Sequence, residues 1–137
     1  MARGETIPRE LRSLLNRARA TGRRAYAPYS KFHVGAAVLT ARGEVFAGCN
    51  VENASYGLTL CAERAAIISA VAAEGPKMRV AAIAITVDAA QAFPPCGACR
   101  QVLAEFAAAG CPVVYAGRDG VPVRTTLGAL LPQAFEL

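Results

Sequence analysis

Apolar residues in this chain change spacing several times, and each change marks an element. Over residues 8–24 they fall at Leu11, Leu14, Leu15 and Ala18, the three-and-four spacing of one helix face. Ala27-Pro28-Tyr29-Ser30 breaks that pattern as a turn. Residues 33–40 carry the apolar run Val34-Gly35-Ala36-Ala37-Val38-Leu39, as a strand covered on both faces does. Gly43 marks a hairpin, with 44–50 as the returning strand. A polar loop over 51–59 leads to a helix over 61–74, which Gly75-Pro76 stops. A second buried strand covers 79–87, and 89–95 is a loop. A helix over 96–109 aligns Cys99, Leu103, Phe106 and Gly110, with Pro112 beyond its stop. Strands over 113–116 and 121–125 flank a turn at 117–120, and a short helix covers 127–131. Helices between strands predict an α/β fold with a mixed sheet. The chain shows no repeat, linker or low-complexity segment.

Length narrows this picture to one domain, 1–137, around one core. The chain is 54% hydrophobic, so a core is easily supplied. No apolar run approaches membrane-spanning length. The net charge of +5 is unevenly placed. Residues 1–31 hold eight bases against two acids, and the remainder seven against eight. An arginine-rich start resembles a transit peptide, but Glu5, Glu10 and the leucines predict a packed helix. The basic excess reads as a solvated helix face. No aromatic residues interleave these arginines to stack bases, so nucleic acid is not an expected partner. Five cysteines, an odd number, without a visible secretory signal predict free thiols in a reducing cytoplasm. Cys49 and Cys111 sit among small or apolar neighbours and read as core residues.

The chemistry concentrates in Cys61-Ala62-Glu63-Arg64 and Pro95-Cys96-Gly97-Ala98-Cys99-Arg100. Cys96 and Cys99, three apart, share a helix face and can grip one ion. Cys61 is a candidate third thiolate. Three thiolates leave one position of a tetrahedral zinc open, which catalysis needs and a structural site avoids. Glu63, two residues on, would not face Cys61 within a helix, but at a helix start both can lean toward the axis. Cys-x-x-Cys alone also suits redox pairs and zinc ribbons. Paired with Cys-x-Glu at another helix start, it fits a zinc deaminase, whose Glu is a proton carrier and no ligand. Three thiolates and Zn²⁺ sum to −1, so charge must be drawn away. Two helix N-termini can do this, and Arg64 can donate to sulfur. Arg100 is a second, weaker candidate.

This arrangement resembles the cytidine deaminase family, most closely its three-cysteine branch, and the resemblance runs from about residue 11 to 135. It implies a three-layer α/β/α sandwich with a five-stranded mixed sheet. It implies zinc on Cys61, Cys96 and Cys99, with Glu63 as catalytic proton shuttle and Arg64 beside the thiolates. The stretch 48–57 resembles the loop in which Asn50 and Glu52 hold the ribose 3′-hydroxyl; read alone, it is a loop satisfying its own backbone. The resemblance further implies that Phe32 packs on the pyrimidine and that the Ala62 N–H meets the base carbonyl. It implies a homotetramer in which Tyr56 and Phe135 complete a neighbour's site. His33, the only histidine, reads as a strand residue without a ligand role. The implied reaction is hydrolysis of cytidine and 2′-deoxycytidine to the uridines and ammonia, in pyrimidine salvage. A deaminase of blasticidin S-type antibiotics is the alternative. A nucleic-acid deaminase and a closed, non-enzymatic zinc module using Cys49 or Cys111 are further rivals.

Overall fold

A computed structural model describes residues 2–3 and 6–137; Glu5 lies outside them. The elements in order are β1 Ala2–Arg3, α1 Arg9–Gly22, β2 Val34–Thr40, β3 Val45–Cys49, α2 Ala62–Glu74, β4 Val80–Val87, α3 Gly97–Phe106, β5 Pro112–Ala116, β6 Val123–Thr126 and α4 Leu127–Leu130. A 3₁₀ turn at Tyr56–Leu58 interrupts the loop read as irregular. β2 to β6 form the expected five-stranded mixed sheet. β1 adds a two-residue sixth strand at its edge, giving the order β1-β6-β5-β4-β2-β3. Among the described strands only β4 and β5 pair in parallel, joined through α3, as a crossover connection requires.

The sheet's two faces carry different side-chain sizes. In β2, β4 and β5, Val38, Ile83, Ile85, Val113 and Tyr115 point to one face, where α2 and α3 pack. There α2 offers the small residues Ala62, Ala66 and Ala70 together with Ile67, and α3 offers Leu103. On the other face the strands show Ala37, Ala82, Ala84, Val114 and Ala116, and α1 supplies Leu11, Leu14, Leu15 and Ala18. Large strand residues thus meet small helix residues on one face, and the reverse holds on the other, which fills both layers to interior density. The result is the three-layer α/β/α sandwich. Of the α2 alanines, Ala66 and Ala70 are used by the chain's own core, while Ala72 and Ala73 face outward.

α3 ends at Phe106, three residues before the predicted stop. Ala107 is extended (φ −135°, ψ 148°), and the Ala109 carbonyl accepts from the Gly128 N–H instead of closing a further turn. Antiparallel pairing sets Val34, the first residue of β2, opposite Val87, the last of β4. The loops after β3 and β4 start from that end of the sheet and lead into α2 and α3. Loops at strand ends are free to carry function while the sheet holds them.

Candidate functional site

Cys61 and Cys96 are not within their helices; they are the N-caps of α2 and α3, both extended (φ −74°, ψ 152° and φ −66°, ψ 167°). Gly97 opens α3 directly after Cys96, so Cys99 lies one turn in, as the spacing predicted. The three sulfurs lie within 4.8 Å of one another, and among the described residues no fourth His, Cys, Asp or Glu joins them. Cys49 and Cys111 are outside the cluster; Cys111 packs at the start of β5 with its Sγ 3.6 Å from the Pro112 carbonyl.

The donor set fits zinc. A tetrahedral site with Zn–S near ~2.3 Å sets sulfurs roughly 3.8 Å apart, within reach of this cluster. Cys61 and Cys96 stand at two helix N-termini, whose partial positive charge favours the thiolate form. Arg64 Nη2 donates to Cys61 Sγ at 3.0 Å, and Arg64 Nε is buried with no hydrogen-bond partner among the described residues. Without a cation, one negative charge is shared unevenly. The neighbouring Cys99 thiol and then Arg64 pull the Cys61 thiol well below its ordinary range. Cys99, which donates toward Cys61 and is buried, is pushed far up. Such a set ionises fully only around a cation.

Glu63 is 6% exposed, and burial, with Cys61 adding repulsion, raises its carboxyl above the ordinary carboxylate range. A cleft of about 210 Å³ opens at this point, lined by Cys61, Glu63 and Cys96 on one side and by Val34, Ile85, Val87 and Phe93 on another. Ala62 and Asn50 also line it. A raised carboxyl against a sulfur cluster in a small, mostly apolar cleft has the chemistry to carry a proton beside a bound Lewis acid.

Asn50 is 8% exposed and doubly engaged. Its Oδ1 accepts from the Val34 N–H at 2.8 Å and its Nδ2 donates to the Phe32 carbonyl at 2.9 Å. It therefore ties the 50s loop to the entry of β2, and one lone pair and one N–H remain for a ligand. Glu52 Oε1 accepts from the Tyr29 and Ser30 N–H groups at 2.9 and 3.1 Å. The Ser30 side chain and these amides hold its carboxyl below the usual range. Lys31 closes this turn in the left-handed region (φ 66°). Neither Glu52 nor Phe32 lines the cleft.

Phe32 meets Phe93 edge to face with ring centroids 5.9 Å apart. Phe93 was not singled out from the sequence. It sits in a loop without periodicity, and only the following Pro94-Pro95-Cys96 hinted that the loop serves the cluster. Tyr56 (81% exposed) and Phe135 (70% exposed) do not reach the cleft of their own chain. Gln101 Nε2 holds the Phe135 carbonyl at 3.2 Å, which lays the tail along α3. Arg100 does not serve the sulfurs. Its Nε donates to the Pro95 carbonyl at 2.7 Å and its Nη1 to the Leu130 carbonyl at 3.0 Å, bracing the loop before Cys96 against α4. His33 lies one residue before β2 and away from the cluster, toward the α1 side of the sheet.

Comparison with known proteins agrees with this geometry. The family model for the cytidine and deoxycytidylate deaminase zinc-binding region matches residues 8–115. A cytidine deaminase of Halalkalibacterium halodurans is 50% identical over 111 residues, 81% of this chain and 83% of the relative. A cytidine deaminase of Sporosarcina psychrophila is 42% identical over 92% of this chain and 91% of its own. The 1.6 Å crystal structure of a Burkholderia pseudomallei cytidine deaminase superposes with a TM-score of 0.84 at 47% identity, covering 94% of this chain and all of that one. With the family's zinc-binding-region model matched over residues 8–115, most of this chain, and three cysteines gathered into one cluster within that span, the chain belongs to the cytidine and deoxycytidylate deaminase family.

Proposed function

We propose that this chain hydrolyses the exocyclic amine of cytidine and 2′-deoxycytidine, releasing ammonia and leaving uridine and 2′-deoxyuridine for pyrimidine salvage. The observation that carries the reading is the buried Glu63 carboxyl beside the three-sulfur cluster at the floor of a pyrimidine-sized cleft. Cys61, Cys96 and Cys99 hold the zinc. Bound zinc supplies a Lewis acid that makes water nucleophilic near neutral pH.

The chain's own residues do the rest. Glu63 takes a proton from water and delivers it to ring N3 as C4 is attacked. It then takes the remaining proton from the new C4 hydroxyl and gives it to the amine as the C4–N bond breaks and the C4 carbonyl forms. Its raised proton affinity suits a group that must both accept and donate near neutrality. Arg64 drains charge from Cys61. The Ala62 N–H, in the first turn of α2 where no intrahelical partner exists, donates to the base carbonyl. Phe32 and Phe93 flank the ring. Asn50 offers its spare N–H and lone pair to the ribose, and the ionised Glu52 accepts from a ribose hydroxyl. The relatives named above are cytidine deaminases, which favours nucleosides over an antibiotic substrate.

The rim favours an assembly. Tyr26, Tyr29, Tyr56, Leu58, Phe93 and Phe135 are exposed, and large apolar side chains left open to solvent offer material for an interface. We read it as the interface of a homotetramer in which Tyr56 and Phe135 reach a neighbour's cleft. A chain of free thiols fits a cytoplasmic setting, and no helix among the described residues is long and apolar enough to cross a membrane.

The test is conversion of cytidine to uridine by the zinc-loaded protein. Glu63→Gln should keep zinc and nucleoside affinity, while turnover falls at least ~10²-fold. Near-normal turnover in a zinc-replete variant would overturn the mechanism. For the shared site, chains lacking residues 134–137 and Glu63→Gln chains should regain activity when subunits exchange, since an intact tail can serve a neighbour's Glu63. Exchange without recovery removes that claim.

A further inference from the structure

The basic excess of the N-terminal segment has a location that the deaminase chemistry does not use. On the α1 side of the sheet lies a cleft of about 400 Å³, where the end of α1 meets the start of β2, the end of β4 and the turn after β5. Arg19 and Arg23 enter it from the last turn of α1 and the residue after it, Arg118 from the turn, and His33 from the entry of β2. The floor is close-packed backbone. A Cβ on Gly22 would lie 2.9 Å from the Gly35 N, and one on Gly117 would lie 2.6 Å from the Gln91 carbonyl carbon.

The charge in this cleft is uncompensated. Asp88, the one carboxylate in the wall, is 3.7 Å from Arg118. Arg19, though half-buried, and Arg23 make no ion pair and no side-chain hydrogen bond among the described residues. The C-terminus of α1 contributes roughly half a negative charge. Three guanidiniums against Asp88 and that half charge leave about +1.5 in a concave space. Compensating a helix end requires far less. A neighbouring groove shares Arg19 and Arg118 and adds Arg12, so the positive field extends along α1.

We propose that this cleft binds a small phosphorylated metabolite, with the guanidiniums of Arg19, Arg23 and Arg118 on the phosphoryl oxygens and the His33 ring as a further polar contact. Guanidinium forks match phosphoryl oxygens in geometry and charge. The volume suits a metabolite. The wall holds no Phe, Tyr or Trp on which bases would stack, so a sugar phosphate fits better than a nucleic acid strand.

The probes are ribose 5-phosphate and inorganic phosphate, titrated calorimetrically into the zinc-loaded protein at physiological ionic strength, with ribose as the uncharged comparison. Ribose 5-phosphate should bind and ribose should not. The double variant Arg19→Gln, Arg118→Gln should weaken binding at least tenfold. Asp88→Asn should tighten it, because it removes the opposing carboxylate. Arg42→Gln, on the β2–β3 turn away from the cleft, should leave it unchanged, as should saturating uridine. Absence of ribose 5-phosphate binding at millimolar concentration overturns the proposal. So does equal weakening by Arg42→Gln, which would mean diffuse charge, and so does competition by uridine. Tight binding of a single-stranded oligonucleotide that ribose 5-phosphate fails to displace would assign the face to nucleic acid instead.

Discussion

Gly48 is where the sheet touches the catalytic helix most closely, and Gly48→Ala gives a measurable test of how rigidly the site is held. A Cβ at Gly48 would lie 2.5 Å from the Ala66 N, 2.7 Å from the Ala65 Cβ and 2.9 Å from the Ala62 carbonyl oxygen. Real Cβ contacts begin between 3.0 and 3.4 Å, so strand and helix must part by about 0.5–0.9 Å against the 2.5 Å contact. β3 is laddered to β2 over five residue pairs, whereas the first turn of α2 has no such ladder, so much of the movement falls on α2. That turn follows Cys61 and carries Glu63 and Arg64. Forcing one methyl into a packed interface costs about 1–3 kcal/mol. A displacement approaching 1 Å in catalytic groups costs up to ~10²-fold in rate. Urea unfolding, zinc retention against a chelator and kcat for cytidine should be measured on the same preparation. The expected result is a stability loss in that range, faster zinc release and a kcat lowered roughly 10- to 100-fold. Lower stability with unchanged kcat and zinc release would show that the edge strand yields instead, and would refute the rigid coupling of β3 to the site.

Arg100→Gln removes two charge-assisted bonds to the Pro95 and Leu130 carbonyls, each worth about 1.5–3 kcal/mol. Zinc release to a chelator should quicken at least tenfold, with Arg100→Lys intermediate; equal release rates would reduce Arg100 to a surface residue. Burial pushes the Cys111 thiol from 9.0 up to about 11. The folded chain then keeps this proton where the unfolded chain has lost it, so the stabilisation is complete below pH 9 and fades as the pH rises toward 11. The loss is on the order of 2–3 kcal/mol. Urea-unfolding free energies of wild type and Cys111→Ala should therefore converge across that window, and parallel curves would contradict the assignment.

The strongest sequence signals were those in which local pattern and tertiary demand agree. The runs at 34–39 and 80–87 are apolar because both faces of β2 and β4 are covered, so their alternation is weak but their extent is plain. The cysteine spacings were legible because a helix start fixes geometry within a few residues. The trio's meeting was legible only through the family resemblance, since nothing local brings the N-cap of α2 to that of α3. Phe93 was hidden for the same reason: its partner, Phe32, lies across the fold. β1 escaped notice because two residues carry no period and pair with Val123 and Arg124 at the far end of the chain. The end of α3 differs because Ala107, Ala108 and Ala109 favour a helix, while the Cys111 N–H takes the Ala108 carbonyl and the Gly128 N–H of α4 takes that of Ala109. The second cleft was visible only as a charge imbalance in the sequence, without a shape.

The unequal faces of the sheet also guard against misassembly. A slip of one residue in β4 would turn Ile83 and Ile85 toward the leucines of α1 and set Ala82 and Ala84 opposite the alanines of α2. One layer would be overfilled while the other was left with voids. A core void of the Ile-to-Ala kind costs about 2–5 kcal/mol, and crowding costs a further ~1–3 kcal/mol. A sheet with similar side chains on both sides would lose far less from the same slip. The size asymmetry that lets two dissimilar helical layers pack on one sheet thus penalises the misregistered sheet twice during folding, before any ligand is bound.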